Sequence, residues 1–346
     1  MNSLSLEDYG FTPERAEAFK QHEEVGLKPG RVIEEHRGFY TVVHEAGEEK
    51  AELSGRFRNE GKAFPAVGDW VALRIAEPIL VEEVLSRSSR IARDEAGRKT
   101  GEQVIGANID TAFLVMAADA KFNPNAIERY LTMLWESGAQ PVLLFTKADA
   151  CEEMDEILSA AETTAVGVPI HAISSLDGSG IGALDAYLMP GQTICLLGAS
   201  GAGKSTLLNK LAGEEIAATQ EVRAADGKGR HTTTTRQLHK LPSGALVVDT
   251  PGMRELQLWD ATGLEDAFTD IEELAAECKF GNCTHNGNAG CAVEGAIDER
   301  RLESWRKLQR ESKFQSQKKD TAAQRAEAKK FKKMVDEVVQ HKRENE

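Results

Sequence analysis

Residues 198–206 read Gly198-Ala199-Ser200-Gly201-Ala202-Gly203-Lys204-Ser205-Thr206. The stretch fits G-x-x-x-x-G-K-[ST]. It follows the apolar run Thr193-Ile194-Cys195-Leu196-Leu197 and opens the helical pattern Leu207-Leu208-Asn209-Lys210-Leu211. Strand, glycine loop and helix in that order are the setting a phosphate-binding loop requires. Glycines let successive backbone N–H groups turn inward around phosphates, and the helix N-terminus adds positive potential. In that setting Lys204 bridges the β- and γ-phosphates of a nucleotide and Ser205 ligates Mg²⁺.

Outward from this loop, three more segments carry matching chemistry. Downstream, Asp249-Thr250-Pro251-Gly252 follows the apolar run Ala245–Val248. A carboxylate at the end of a buried strand is suited to holding Mg²⁺, often through water, and the Gly252 amide to meeting the γ-phosphate. Upstream, Thr146-Lys147-Ala148-Asp149 ends another apolar strand. Asp149 can accept hydrogen bonds from N1–H and the 2-amino group of guanine; adenine lacks both and would leave a buried carboxylate unpaired. The Lys147 stem can cover the base. Ser174-Ser175, after the strand Pro169–Ile173, can offer a backbone N–H to guanine O6. The loop Gly227-Lys228-Gly229-Arg230-His231-Thr232-Thr233-Thr234-Thr235 completes the set, with Thr233 and Thr234 as candidate Mg²⁺ ligands. Met253 stands where a water-orienting Gln is expected, so His231 becomes the candidate for that task. A solvent-exposed loop histidine is an equally good reading of the spacing.

The order of these motifs is unusual. Ordinary GTPases place the phosphate loop first and the base-reading motif later. Here Thr146–Asp149 and Ser174-Ser175 precede Gly198–Thr206, and Thr232–Thr235 and Asp249–Gly252 follow. A closed pocket is indifferent to where the chain is cut if the old termini lie close together. The expectation is a circularly permuted P-loop GTPase domain over residues 98–274, a parallel sheet with helices on both faces.

At 346 residues the chain is long enough for roughly two or three domains. Residues 1–28 read as a helical extension closed by Pro29-Gly30. Residues 29–97 carry short alternating runs such as Phe39–Val43 and Asp69–Leu73, the pattern of a small OB-type β-barrel. Residues 275–346 open with Cys278-x4-Cys283-x-His285-x5-Cys291. Three thiolates and one imidazole suit a closed tetrahedral Zn²⁺ site that lets a segment with little core fold. The chain from Trp305 onward lacks Pro and Gly and reads as one or two exposed helices. With 41% hydrophobic residues and no apolar run near the ~20 needed to span a bilayer, a globular cytoplasmic protein is expected. The net charge of −14 argues against indiscriminate nucleic-acid binding, yet Arg300–Glu346 holds 15 Lys and Arg against 8 Asp and Glu. A basic tail on an acidic body can dock on phosphate selectively. Nothing in the sequence requires a dimer, and a monomer is expected.

These segments together resemble the small ribosomal subunit biogenesis GTPase RsgA family, the YjeQ/EngC type. The resemblance rests on Gly229–Thr234, Asp249–Gly252 and the Cys278–Cys291 spacing, with Val67-Gly68-Asp69-Trp70-Val71 and Gln103–Asp110 also similar. It spans residues from about 30 to about 310. It implies an OB-fold, a permuted GTPase domain and a zinc domain acting on the 30S subunit and its 16S rRNA late in maturation. It also implies hydrolysis stimulated by the subunit, with Met253 and His231 at the family's apolar and histidine positions. Three other readings stay open. One is an RNA-binding assembly factor in which GTP only holds the domains together. Another is an ATPase or small-molecule kinase, and the last is a diverged paralogue acting on another ribonucleoprotein.

Overall fold

The computed structural model describes residues 5–59, 63–94, 102–217, 236–249, 262–314 and 317. The chain begins with a 3-10 turn, Leu6–Tyr9, and helix α1, Pro13–Glu23. The start of α1 is set by Thr12, whose hydroxyl accepts from the Arg15 N–H at 3.4 Å, and by Pro13 in the first turn. Pro29 and Gly30 do not close this extension; both lie inside strand β1, Lys28–Glu35. Pro29 comes second in the strand, where a missing donor is tolerated. Gly30 is required by packing, because a Cβ there would sit 2.4 Å from Leu73 Cδ1.

Strands β2 (Tyr40–His44) and β3 (Gly47–Leu53), the short helix α2 (Gly55–Asn59), and strands β4 (Trp70–Arg74) and β5 (Ile79–Val84) complete a barrel. Its order is β1-β2-β3-β5-β4, closed by Lys28–Arg31 of β1 pairing with Leu73–Trp70 of β4. Closure leaves no edge inside the barrel. Val32, Val42, Val71 and Val81 fill its interior. Among the barrel aromatics Phe39, Tyr40 and Trp70, an aromatic face for stacking RNA bases is left only at Phe39, which is half-exposed while the other two are buried. A hairpin, β6 (Arg90–Asp94) and β7 (Glu102–Ala107), then leads into the second domain.

That domain runs β8 (Thr111–Ala117), α3 (Pro124–Ser137), β9 (Gln140–Thr146), α4 (Met154–Thr164), β10 (Ile170–Ala172), β11 (Thr193–Leu197), α5 (Lys204–Ala212), β12 (Gln237–Lys240) and β13 (Leu246–Asp249). Sheet order is β10-β9-β8-β11-β13-β12, with the first five strands parallel and β12 antiparallel to β13. Side chains alternate between the two faces. Leu114, Leu143 and Leu197 pack under α3, whereas Val115, Leu144 and Leu196 pack under α5 with Leu207 and Leu208. Both faces are covered, which is why these strands read as unbroken apolar runs.

Barrel and second domain share one continuous eleven-stranded sheet, because Glu34 of β1 pairs with Gln237 of β12. Their joint holds a buried arginine. Arg31 donates to the carbonyls of Tyr9, Gly68 (3.2 Å) and Asn108 (3.4 Å), and to Thr193 Oγ1 at 2.8 Å. Burial, with Arg15 nearby, lowers its pKa to about 9. Asn108 Nδ2 also donates to the Gly68 carbonyl at 3.1 Å, and its Oδ1 accepts from Arg15 at 3.2 Å. The Val67–Val71 and Gln103–Asp110 segments therefore meet, and α1 is fastened over the place where they do.

The C-terminal portion contains α6 (Thr262–Ala267), α7 (Thr269–Ala275), the cysteine-rich segment and a helix over residues 299–314, α8. The beginning of this last helix is not an exposed one: Leu302, Trp305 and Leu308 are buried. It docks on α3 through charge. Glu128, fully buried, accepts from Arg300 (3.0 Å and 3.1 Å) and from Arg301 at 3.0 Å. Arg301 also makes a two-pronged pair with Asp270, at 2.8 and 2.7 Å. Arg129 and Glu311 form another forked pair at 2.7 and 2.6 Å.

Candidate nucleotide site and metal centre

Because β8 to β11 and β13 run parallel, all their carboxyl ends open on one edge of the sheet. This is where ligands bind in open α/β folds. The phosphate loop leaves β11 at Gly198 and enters α5 at Lys204. Its glycines are demanded by the backbone: Gly198 (φ 138°), Gly201 (φ 80°) and Gly203 (φ 83°) lie where side chains are strained. At Gly198 a Cβ would also sit 2.1 Å from the Val115 carbonyl oxygen. Lys204 Nζ folds back over the loop and donates to the carbonyls of Gly198 (2.8 Å) and Ala199 (2.6 Å). Its ammonium thus sits over the loop itself.

The base-reading motif touches this loop directly. Thr146 ends β9, and its hydroxyl donates to the Ala202 carbonyl at 2.8 Å, with the Met116 carbonyl at 3.2 Å. Lys147 takes a left-handed backbone (φ 59°), which sends its side chain across the sheet edge to pair with Asp119 at 2.8 Å. A cavity of about 250 Å³ lies between Lys147, the turn Ala199–Ala202 and the residues after β8. Asp149 is exposed on the 3-10 turn Ala148–Ala150, which is tied to the next strand by the Ala148 N–H donating to the Ile173 carbonyl at 3.2 Å. Ser174 is buried, and its hydroxyl accepts from the N–H groups of Leu176 (3.2 Å) and Asp177 (3.3 Å), shaping the loop rather than facing outward. Ser175 Oγ is buried with no hydrogen-bond partner among the described residues. Asp249 closes β13 at the same edge. His231, Thr233, Thr234 and Gly252 lie outside the described residues.

Sequence reasoning missed Asp119. Its signal was available: it is the acidic residue that follows the apolar run of β8, at the same strand edge as the other motifs. Asp149→Asn is expected to move base preference from guanine toward xanthine by about 10²-fold or more, since an amide no longer matches the guanine donors. Competition between GTP and xanthosine triphosphate measures this; an unchanged ranking would mean that the base is read elsewhere.

The ligand atoms of Cys278, Cys283, His285 and Cys291 all lie within 4.8 Å of one another. The four donors gather round one point, and a tetrahedral ion with bonds of about 2.0–2.3 Å would draw them slightly closer together. Backbone amides support thiolates here: Ala292 N–H points at Cys278 Sγ and Glu294 N–H at Cys291 Sγ, both at 3.3 Å. Burial pushes the Cys291 thiol up, but the Glu294 N–H, His285 and the Val293 N–H outweigh it and bring it down to about 7. His285 turns Nδ1 toward the sulfurs, 3.6 Å from Cys278 Sγ and 3.4 Å from Cys291 Sγ. The residues fit zinc. The segment is seated on α8, where the Trp305 ring lies edge-on to His285 at 5.5 Å and Arg306 donates to the His285 carbonyl.

The family model described as RsgA GTPase matches residues 84–259, from the end of the barrel through Asp249–Gly252. The chain is also 44% identical over 324 residues to a Lactiplantibacillus plantarum protein named small ribosomal subunit biogenesis GTPase RsgA 2, covering 90% of this chain and 91% of that one. This chain belongs to the RsgA GTPase family. A Listeria innocua RsgA 1 of the same description is 40% identical over 339 residues, covering 95% of each chain. The fold is similar to the crystal structure of YjeQ from Thermotoga maritima, with a TM-score of 0.62 at 28% identity over 82% of this chain and 98% of that one. YloQ, titled a circularly permuted GTPase, aligns with a TM-score of 0.61 at 24% identity over 83% of this chain and 95% of that one, a likeness of fold. A second model, described as a 50S ribosome-binding GTPase, matches residues 193–336 and so begins at β11, where an unpermuted GTPase would begin. RsgA membership makes the protein a GTP hydrolase, and among the described residues Thr146–Asp149, Gly198–Lys204 and Asp249 meet at one sheet edge.

Proposed function

We propose that this protein hydrolyses GTP on the 30S ribosomal subunit late in its maturation, meeting 16S rRNA, and that the subunit accelerates hydrolysis. The observation that carries the reading is the Thr146 hydroxyl bonded to the Ala202 carbonyl, which joins the base-reading and phosphate loops into one site. The names of the curated relatives supply the subunit.

In this reading Gly198–Thr206 wraps the phosphates, Lys204 neutralises their β–γ bridge, and Asp149 with the Ser174-Ser175 backbone reads guanine. Ser205, Asp249 and Thr233 or Thr234 hold Mg²⁺, which supplies charge neutralisation on the phosphates. Gly252 meets the γ-phosphate. His231 orients the attacking water, because Met253 cannot. Lacking a Gln at that position, the protein turns over slowly alone, and contact with the subunit speeds it. Residues 1–28, 29–97, 98–274 and 275–346 serve as extension, OB barrel, GTPase domain and zinc domain, the last ending in a basic tail suited to rRNA phosphate. The protein acts in the cytoplasm as a monomer. None of the helices in the described residues is long and apolar enough to cross a membrane.

Phosphate release from GTP, with ATP as control, tests this with and without purified 30S at fixed salt; 50S subunits form a second control. Stimulation by 30S alone, weakening steeply as salt rises, is expected. Stimulation by 50S instead, or by neither, would overturn the proposed partner.

A further inference from the structure

The threonine run Thr232–Thr235 ends one peptide bond before Arg236, and Arg236 and Gln237 are held by the barrel. Arg236 Nη1 pairs with Glu35 Oε2 at 2.6 Å, and Gln237 Nε2 donates to Glu34 Oε1, also at 2.6 Å. The Arg236 side chain is only 11% exposed, so this pair is shielded from the screening that weakens surface ion pairs. Glu34 and Gln237 are direct cross-strand partners, and the Glu35 N–H donates to the Arg236 carbonyl at 3.4 Å. Adjacent residues on a strand point to opposite faces, so the two glutamates hold the start of β12 from both sides of the sheet.

The same glutamates adjoin the β1–β2 turn of the barrel. Glu34 Oε2 lies 3.0 Å from His36 Nε2 and accepts from the Thr41 hydroxyl at 3.4 Å. His36 Nε2 also meets Thr41 Oγ1 at 3.0 Å, and the His36 N–H donates to the Phe39 carbonyl at 3.0 Å. The His36 ring stacks on Phe39, centroids 4.3 Å apart and 16° from parallel, and Lys50 Nζ sits 4.4 Å over the Phe39 ring. One end of this arrangement is an aromatic and basic turn on the barrel surface. The other is the first residue after the loop expected to sense γ-phosphate.

We propose that Glu34 and Glu35 are positioning residues that couple contact at the barrel turn 36–39 to hydrolysis through Arg236 and Gln237. The inference rests on the proposed stimulation by the subunit and names the part of the protein that carries it. Contact that moves the turn shifts the two carboxylates, and with them Arg236 and Gln237 at the start of β12. Glu35 touches neither nucleotide nor water in this scheme; it acts on hydrolysis only through Arg236.

The test compares the full-length parent, Glu35→Gln, Arg236→Gln and the swapped double variant Glu35→Arg with Arg236→Glu. Glu35→Gln should bind GTP and 30S within about twofold of the parent while losing at least tenfold of the 30S-stimulated turnover. The swapped pair should recover a large part of that loss, which assigns the effect to the Glu35–Arg236 pair, while the unchanged GTP and 30S affinities set it apart from a merely structural defect. Full stimulation in Glu35→Gln, or a loss of 30S affinity that accounts for the whole effect, would overturn the proposal. Hydrogen exchange at residues 34–41, compared between GDP and a non-hydrolysable GTP analogue without subunits, separates this idea from the functional reading. A nucleotide-dependent difference in the parent that vanishes in Arg236→Gln supports the joint even if 30S fails to stimulate. The absence of any such difference in the parent sinks the joint even if 30S stimulates strongly.

Discussion

Lys204→Ala is expected to abolish tight GTP binding and to lower hydrolysis by about 10²–10³-fold or more, the usual cost of removing one preorganised charge from a phosphate or oxyanion site. The Lys204 ammonium bonds to the Gly198 and Ala199 carbonyls across the loop. It therefore has a short path to phosphates bound there and little conformational freedom to lose on meeting them. Alanine keeps the helix, being its best former, so the fold should survive and the deficit should be chemical. Fluorescent-nucleotide titration and single-turnover hydrolysis read the two parts separately. Affinity within twofold of the parent would remove Gly198–Thr206 from the nucleotide site.

The second large effect concerns the metal. Chelation, or Cys291→Ser, should release about one zinc per chain and unfold the segment between α7 and α8, because structural zinc sites contribute on the order of 10–16 kcal/mol. Ala289 is the one aliphatic side chain in the polar, glycine-rich stretch Gly281–Gly290, far too little to replace that term. Loss should spread to α8, since Trp305 and Arg306 both lean on His285. Metal content together with limited proteolysis after residue 275 measures it. Protein purified without zinc and equally resistant to protease would reject the site.

Much of the candidate site was legible because its signals are local. A phosphate loop is a run of nine residues whose backbone geometry forces the glycines, and buried parallel strands are bound to read as apolar runs. The metal cluster lies within fourteen residues from Cys278 to Cys291. What escaped is long-range pairing of polar residues, which leaves no local trace. Glu128 and Arg301 stand 173 positions apart, and each alone looks like a solvated helix charge. Arg31 reads as a surface residue on an alternating strand, yet it is buried at the joint. The β6–β7 hairpin escaped because charged residues such as Arg90, Arg93 and Glu102 break its apolar alternation. The N-terminal extension hid its role for a related reason: its contacts, Arg15 with Asn108 and Phe11 with Trp70, belong to partners far along the chain.

Arg31 has a consequence for synthesis. The barrel can close its strands as soon as they emerge, but one acceptor of the enclosed guanidinium, Thr193, lies 162 residues downstream. At about 5–20 residues per second that residue arrives roughly 8–30 s later. Until then Arg31, which faces the joint and not the valine-lined barrel interior, keeps water in place of that acceptor. Thr193 opens the very strand whose far end carries the phosphate loop. The N-terminal barrel is thus fully seated only when the strand that builds the enzyme arrives to cover Arg31.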